Sequence, residues 1–222
     1  MKAKKSQGFL VDLHVHTDVS PCGHQSLKEC LLTASQVGLK VLAITDHFSV
    51  KAASIYSSIN FNGKLTPVFG MEYSAPEGDF LLFVPGKIPF FKRGLRAYEV
   101  LAEIKRRGGL TIWAHPFRWG NVPDETLLEE GLVDAIEVLN GRNSPQENFM
   151  AWELAEAFDL PKVAGSDAHT TEELGIIANL SPEPIKDLMD LMRVIRKGLL
   201  EPIILSPSLK RIYKHLEIKD CK

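Results

Sequence analysis

Short apolar runs of strand length recur along the chain. In the first of them, Leu10–Val15, the apolar positions indicate a buried strand, and a period of two places His14 and His16 on the same side of it. Six further runs predict strands at Leu39–Thr45, Leu65–Gly70, Phe80–Val84, Leu110–Ala114, Val133–Leu139 and Leu160–Ala164. The hydrophobic pattern therefore predicts seven strands.

Segments with helical periodicity lie between several of these strands. Ser26 and Glu29 match the capping-box pattern, which predicts a helix that ends at about Val37. Residues 48–64 are weakly patterned, and we expect a loop there with one short helix. The remaining helices are predicted at about Leu95–Arg107, at about Gln146–Phe158, and from Ser181, as the N-cap before Pro182, to Leu199.

The alternation of strands and helices predicts an α/β fold with a mostly parallel sheet. Runs such as Val41–Ile44 are apolar throughout, as expected for strands that are covered on both faces. Seven strands of this kind predict a (β/α) barrel one unit short of eight.

Composition bounds the size and the partners of the fold. The 222 residues are 45% hydrophobic and 24% charged, which is typical of one globular domain. We expect that domain at residues 1–206, with residues 207–222 forming a peripheral, partly frayed tail. A net charge of −2 predicts no general attraction to nucleic acid or to an anionic membrane. The composition does not predict the oligomeric state.

The cysteine pattern favours a reducing compartment. Cys22, Cys30 and Cys221 are odd in number and lack C-x-x-C spacing, so neither a disulfide framework nor a thiolate zinc site is indicated. The basic start is followed by an apolar run that Asp12 and His14 interrupt, which is not the pattern of an export signal. We therefore expect a cytoplasmic protein that does not enter a membrane.

Polar residues fall at the carboxyl ends of the predicted strands, where barrel enzymes collect their reactive groups. The residues in these places are His14, Asp46, Glu72, His115, Asn140 and Asp167. Imidazoles and carboxylates without thiolate suit Zn, Mn or Fe. The set exceeds what one ion needs, so we expect two or three divalent ions with Glu72 as a bridge, holding a phosphate and activating water to hydroxide.

Five motifs in order resemble the PHP (polymerase and histidinol phosphatase) superfamily. They are Asp12-x-His14-x-His16-Thr17, Thr45-Asp46-His47, Gly70-x-Glu72, Ala114-His115-Pro116 and Ser166-Asp167-Ala168-His169. The resemblance extends from about residue 10 to residue 170 and includes Asn140-Gly141-Arg142. It implies a distorted seven-stranded (β/α)7 TIM-like barrel, the PHP fold, with a two- or three-metal centre that hydrolyses phosphoesters.

The resemblance also implies a ligand set. The first ion would be held by His14, His16, Glu72 and Asp167, the second by Glu72 and His115, and the third by His47, His169 and His24. The Cys22-Gly23-His24 segment comes about two residues later than the corresponding family segment. Asp79 stands where the family usually has a histidine, and it is either a ligand of the second ion or a turn residue.

Three further residues are expected to support the centre. Asp12 and Asp46 are placed to orient the ligand imidazoles from behind. Arg118, three residues beyond His115, is the candidate that binds the substrate phosphate, because a guanidinium pairs bidentately with phosphate oxygens. A structural role is favoured for the weaker candidates Arg142, Lys51 and Arg93.

The sequence thus predicts a metal-dependent phosphoesterase with metal-bound hydroxide as the nucleophile. The expected substrate is a small phosphomonoester or nucleotide, and an oligonucleotide end is the alternative. Two other functions stay open. One is an amidohydrolase-like enzyme that cleaves a C–N bond, and the other is a metal-binding regulatory domain without turnover.

Overall fold

A computed structural model describes residues 8–215 of the chain and contains ten strands. In chain order the strands are β1 (Phe9–Asp12), β2 (Val41–Ile44), β3 (Thr66–Phe69), β4 (Met71–Ala75), β5 (Gly78–Phe83), β6 (Leu110–Ala114), β7 (Ala135–Asn140), β8 (Lys162–Gly165), β9 (Ile177–Ser181) and β10 (Glu201–Ile204).

Seven α-helices accompany these strands within the described range. They are α1 (Leu27–Gln36), α2 (Lys51–Tyr56), α3 (Ala97–Arg106), α4 (Thr126–Glu129), α5 (Pro145–Ala157), α6 (Leu188–Arg196) and α7 (Pro207–His215). The capping box of Ser26 and Glu29 is present at the start of α1, as predicted.

The strands form two mixed five-stranded sheets, which confirms the predicted α/β class. The first sheet has the order β10-β9-β1-β2-β3, in which β1, β2 and β3 are parallel and β9 is antiparallel to both of its neighbours. The second has the order β4-β5-β6-β7-β8, in which β5 is antiparallel to its neighbours and β6, β7 and β8 are parallel. Antiparallel pairs are thus as frequent as parallel ones, contrary to the mostly parallel sheet expected.

The two sheets meet at two isolated bridges. One joins Val15, just past β1, to Ala168, just past β8, and the other joins His47, just past β2, to Glu72 in β4. Across residues 8–215 no continuous ladder closes the sheets into a ring. The seven-stranded barrel is therefore not confirmed in its closed form.

The C-terminal third departs from the predicted elements. The predicted helix start at Ser181 is wrong, because Ser181 ends β9 and its hydroxyl donates to the Glu183 carbonyl at 2.7 Å. Helix α6 begins instead after Asp187, whose carboxylate accepts from the amide of Asp190 at 2.9 Å. Strands β4, β9 and β10 were not predicted, since they are short and lack a continuous apolar run.

Apolar side chains from both sheets share one interior core. Val11, Val41 and Val68 of the first sheet are buried there with residues of β5 to β8, such as Ile112. The apolar stripe of α6, including Ile195, packs into the same core. Helices α1 and α2 cover the other face of the first sheet, and α3, α4 and α5 cover that of the second. Burial of this apolar surface is the main force holding the two sheets together.

The C-terminal segment contributes a helix rather than only a tail. Within α7, Leu209 and Tyr213 pack against the core of the second sheet, and the Asn148 amide donates to the Tyr213 hydroxyl at 2.6 Å. Residues 216–222 of the predicted tail lie outside the described range, and so does Cys221. The boundary at residue 206 stays a prediction. From residue 8 to residue 215, no helix is long and apolar enough to cross a membrane.

A buried amide joins the sheets beside the first bridge. Asn179 of β9 accepts from the Ala164 amide at 2.8 Å and donates to the carbonyls of Val11, at 3.0 Å, and Ala164, at 2.7 Å. Its side chain is fully buried. One side chain thus links the backbones of β1 and β8 by three hydrogen bonds.

We expect Asn179→Ala to lower the free energy of unfolding by about 2–4 kcal/mol, since each buried polar group left unpaired costs about 1–3 kcal/mol. Urea denaturation measures this change. The exposed Asn60 offers the matched control, and Asn60→Ala should change the free energy by less than about 0.5 kcal/mol. Equal effects of the two substitutions would contradict the bridging role of Asn179.

Candidate metal centre

Seven of the predicted ligands converge where the two sheets meet. Each follows a strand end or lies at the start of a strand, and the seven are His14, His16, His47, Glu72, His115, Asp167 and His169. All except His47 and His169 are almost completely buried. The placement of chemistry at strand ends, predicted from the sequence, is therefore what the structure shows.

The carboxylate of Glu72 lies at the centre of the cluster. Its Oε2 is 3.3 Å from His14 Nε2, 3.1 Å from His16 Nε2 and 3.1 Å from His47 Nδ1. This oxygen is buried and is in hydrogen-bonding geometry with no described residue. The other oxygen, Oε1, lies 3.1 Å from His115 Nε2. A buried carboxylate oxygen surrounded by ring nitrogens in this way suits a cation between them.

The ring nitrogens of His14 and His16 also face each other, with their Nε2 atoms 3.1 Å apart. Asp167 Oδ1 lies 3.6 Å from the first and 3.3 Å from the second. The other nitrogen of His14, Nδ1, is 3.0 Å from a carboxylate oxygen of Glu137. A proton on Nδ1 donated to Glu137 leaves the Nε2 lone pair directed into the cluster, as metal binding requires.

Four overlapping groups of side chains bring their ligand atoms within 4.8 Å of one another. The groups are His14, His16 and Glu72; His14, His115 and Asp167; Glu72, Asp79 and His115; and His16, Cys22, His47 and His169. The donor set of imidazole and carboxylate fits Zn, Mn or Fe, so the residues present fit the ions that the sequence predicts.

Asp79 belongs to this cluster by position. It lies in strand β5 rather than in a turn, and its Oδ2 is 3.8 Å from His115 Nδ1. The interpretation of Asp79 as a turn residue is therefore wrong, and its role as a ligand of a second ion stays a prediction.

The structure does not bring His24 to the third group. Its side chain is exposed, and only its backbone amide takes part, donating to the His169 carbonyl at 2.8 Å. The fourth member of that group is the half-buried Cys22. The ligand set predicted from the sequence contains no thiol, whereas the structure places the Cys22 thiol beside this group.

Neither of the two carboxylates expected to orient imidazoles, Asp12 and Asp46, contacts an imidazole nitrogen of a described residue. Asp12 accepts from the amide of Ser166 at 2.9 Å and from that of His14 at 3.4 Å, and it touches no imidazole ring nitrogen. Burial raises the pKa of Asp12 to about 6. Its contacts fix the two chain segments that carry His14 and Asp167, so the expected orientation is achieved through the main chain.

Asp46 fixes the loop after β1. It accepts from the Thr17 amide at 2.8 Å, the Thr17 hydroxyl at 2.7 Å and the Ser20 hydroxyl at 2.7 Å. Ser20 Oγ in turn accepts from the His47 amide at 3.0 Å and lies 3.4 Å from His16 Nδ1. Asp46 therefore reaches a ligand imidazole only through Ser20.

Glu137, which was not predicted, contacts the His14 ring from the side away from the cluster. It is fully buried in β7, where its Oε2 accepts from the His115 amide at 3.0 Å and from the Asn140 side chain at 2.9 Å. A β-bulge between Glu137 and Leu139 shifts the register with β8. Without a bulge, residues three apart on a strand face opposite sides, so the bulge lets Glu137 and Asn140 face the same cluster. The sequence did contain a signal for this role, because Glu137 is an acidic residue inside the apolar run of β7 and a buried charge needs a partner.

Arg118 lies against the cluster as predicted. Its Nη2 is 2.8 Å from Asp167 Oδ2 and donates to Asn140 Oδ1 at 2.6 Å, and its Nε donates to Asn143 Oδ1 at 2.9 Å. The weaker candidates make other contacts. Arg142 pairs with Glu173 at 2.7 Å, and the Arg93 guanidinium stacks 4.5 Å from the Phe48 ring centroid, while Lys51 is exposed.

The charges of the cluster strongly affect its protonation. Burial alone would lower the pKa of His14, but the carboxylates of Asp167, Glu137 and Glu72 outweigh it and raise that pKa well above its usual value. Burial would also lower the pKa of His16, but the adjacent carboxylates of Asp167 and Glu72 outweigh burial and raise that pKa to about 9. The same field that favours protons on these rings favours a divalent cation between them.

Backbone conformation at two candidate ligands is uncommon. His115 has φ of 30° and Asp167 has φ of 53°, in a region that side chains other than glycine rarely adopt. Such strain persists where surrounding contacts determine the conformation, and it is concentrated at functional sites. Here the contacts are two hydrogen bonds. The His115 amide donates to the Glu137 carboxylate, and the Asp167 amide donates to the His14 carbonyl at 2.8 Å.

Similarity to other proteins agrees with this geometry. The family model for the PHP domain matches residues 12–136, and the PHP-associated model matches residues 145–200. An uncharacterized protein of Methanocaldococcus jannaschii is 32% identical over 178 residues, which are 74% of this chain and 67% of the relative.

Solved structures show the same fold at low identity. PsfC from Pseudomonas syringae PB-5123 superposes with a TM-score of 0.72 at 18% identity, covering 94% of this chain and 97% of that one. A two-domain protein from Bacteroides vulgatus, described as containing a predicted PHP-like metal-dependent phosphoesterase, has a TM-score of 0.70 at 17% identity. The match covers 88% of this chain and 64% of that one. Because the PHP model matches more than half of the 222 residues, the chain belongs to the PHP domain family.

Proposed function

We propose that this protein is a metal-dependent phosphoesterase that hydrolyses a small phosphomonoester or nucleotide at a centre of two or three divalent ions. The observation that carries the proposal is the buried Glu72 Oε2, 3.1–3.3 Å from three ring nitrogens and hydrogen-bonded to no described residue. Membership of the PHP family and the fold shared with a PHP-like phosphoesterase support it.

The ligands divide among three positions. His14, His16, Glu72 and Asp167 would hold the first ion, and Glu72, His115 and Asp79 the second. The third position includes His47 and His169. Divalent ions bound there supply Lewis acidity toward a phosphoryl oxygen and lower the pKa of water toward neutrality. Zn, Mn and Fe all suit this donor set.

The chain itself provides the positive charge that faces the substrate. Arg118 uses Nε and Nη2 in its contacts with Asn143, Asn140 and Asp167, and its Nη1 makes no hydrogen bond to any residue in the described range. The side chain is 13% exposed. A guanidinium fixed in this way keeps a donor available for a phosphate oxygen and loses little conformational freedom on binding.

We also propose a cytoplasmic location and a substrate no larger than a nucleotide or an oligonucleotide end. The free cysteines of the described range, Cys22 and Cys30, support a reducing compartment. The net charge of −2 gives no general attraction for a long polyanion.

A substrate screen tests the proposal. Metal-free protein receives Mn, Zn or Fe and is assayed against phosphomonoesters, nucleotides, oligonucleotide ends and amides. We expect metal-dependent release of phosphate. Cleavage of amides alone would point to amidohydrolase chemistry, and stoichiometric metal binding without turnover would point to a regulatory domain; either result would overturn the proposal.

Glu72→Gln provides the matched negative control for this screen. The substitution keeps the shape of the side chain but removes its charge, so we expect reduced metal content and loss of hydrolysis together. The exposed Glu129 allows a comparison, since Glu129→Gln should retain both properties. A Glu72→Gln protein with full metal content and normal turnover would contradict the bridging role.

Glu137→Gln tests the carboxylate behind His14. We expect metal affinity to fall about 10- to 100-fold, because partners that orient a ligand imidazole typically contribute that much. A calorimetric titration with metal measures the affinity, and circular dichroism verifies the fold. Unchanged affinity in a folded variant would show that Glu137 serves only packing.

Arg118→Ala tests phosphate binding. We expect the binding free energies of substrate and of inorganic phosphate to become less favourable by about 1.5–3 kcal/mol, the value of a hydrogen bond to a charged group. Both KM and the inhibition constant for phosphate should therefore rise. Metal content should stay intact. Arg142→Ala, at the exposed pair with Glu173, is the matched control. Equal phosphate inhibition of wild type and Arg118→Ala would rule out this role.

A further inference from the structure

The loop after β1 directs a cysteine, rather than the neighbouring histidine, toward the third position. Cys22 Sγ and one ring nitrogen each of His16, His47 and His169 lie within 4.8 Å of one another. The rings are closely grouped, since the centroid of His16 is 4.6 Å from that of His47 and 4.5 Å from that of His169. A thiol and imidazoles grouped at this spacing form a donor set of the kind that binds zinc.

Ring orientation within this group is suitable for a cation. His169 Nδ1 lies 2.8 Å from the Asp167 carbonyl oxygen and donates its proton there, which leaves Nε2 with a free lone pair. His47 Nδ1 is buried and forms no hydrogen bond to a residue in the described range. The Nε2 of His169 and the Nδ1 of His47, which lies 3.1 Å from Glu72 Oε2, thus have no hydrogen-bond partner among the described residues.

Backbone contacts of the loop determine which side chain points inward. The Gly23 amide donates to the Ser20 carbonyl at 3.0 Å, closing a turn that contains Cys22. A Cβ at Gly23 would lie 2.0 Å from the Thr17 carbonyl oxygen, so only glycine permits this close approach. The next residue, His24, is tied by its amide to the His169 carbonyl, and its side chain is exposed.

We propose that Cys22 is a thiolate ligand of the third cation, which it holds with His47 and His169 beside His16. The inference rests on the proposed metal centre and specifies the chemistry of one position in it. The remaining groups contain only nitrogen and oxygen donors. Because thiolate favours Zn²⁺, Co²⁺ and Fe²⁺ over Mn²⁺ and Mg²⁺, the centre combines one sulfur-containing position with positions that accept harder ions.

Cobalt titration of metal-free, reduced protein tests this assignment. A Co²⁺–thiolate bond produces an intense near-ultraviolet charge-transfer band that imidazole and carboxylate ligands do not. We expect the band in wild type and its complete loss in Cys22→Ser. His24→Ala should keep the band and the number of bound ions. Cys30→Ala, which alters a cysteine of α1 that is buried in the core, should also keep the band.

Alkylation of the wild-type protein gives a second measurement that needs no variant. Iodoacetamide labelling followed by peptide mass mapping should modify Cys22 in the metal-free protein and not in the zinc-loaded protein. Equal labelling in both states would overturn the assignment even if Cys22→Ser failed to fold.

The outcomes separate this inference from the proposed function. Wild type that binds cobalt without the band, or a band that survives in Cys22→Ser, would overturn the thiolate assignment while leaving the phosphoesterase proposal intact. Loss of one cobalt ion in His24→Ala but not in Cys22→Ser would assign the position to His24 instead. The band without phosphoesterase activity would support the thiolate site and contradict the proposed function, and a protein that binds no cobalt would overturn both.

Discussion

Burial of the Glu72 carboxylate is the constraint on which the rest of the structure depends. An isolated buried charge is costly, so it must be compensated by cations or by protonated groups nearby. Burial by itself would raise the pKa of Glu72, but the charge of His14 and the close imidazoles of His115 and His16 hold it well below its usual value. The carboxylate therefore stays charged inside the protein.

The same residue joins the two sheets. The Glu72 amide lies 3.2 Å from the carbonyls of Thr45 and Asp46, and its carbonyl accepts from the Phe48 amide at 2.9 Å. At the other junction the His16 amide donates to the Ala168 carbonyl at 2.9 Å. Both junctions carry candidate ligands, so the contacts that assemble the fold also assemble the centre. Ion binding at such a place stabilises the folded state by mass action.

Neither sheet contains the centre alone. The first sheet contributes the imidazoles of His14, His16 and His47, whereas the carboxylates of Glu72 and Asp167 come from the second. This division explains what the sequence could predict. Strand ends are local features, so ligand positions could be inferred one by one from apolar runs and the residues after them. The pairing of β9 with β1, across more than 160 residues, has no local signal.

The residues missed by sequence analysis depend on similar long-range effects. Glu137 contacts His14, 123 positions away, and faces it together with Asn140 only because of the bulge in β7. Cys22 points inward because Asp46, on another strand end, fixes the start of its loop. The spacing of His24 along the chain could not reveal which side of that turn would face the cluster.

Asn140 connects the metal ligands to the candidate phosphate-binding group. Its Nδ2 donates to Glu137 at 2.9 Å and to Asp167 at 3.3 Å, and its Oδ1 accepts from Arg118 at 2.6 Å. One amide thus contacts both the carboxylate behind His14 and the guanidinium of Arg118. Effects of substitutions at residues that share such a network are not additive. A substitution at Asn140 would therefore disturb the candidate metal ligand Asp167 and the candidate phosphate-binding Arg118 together.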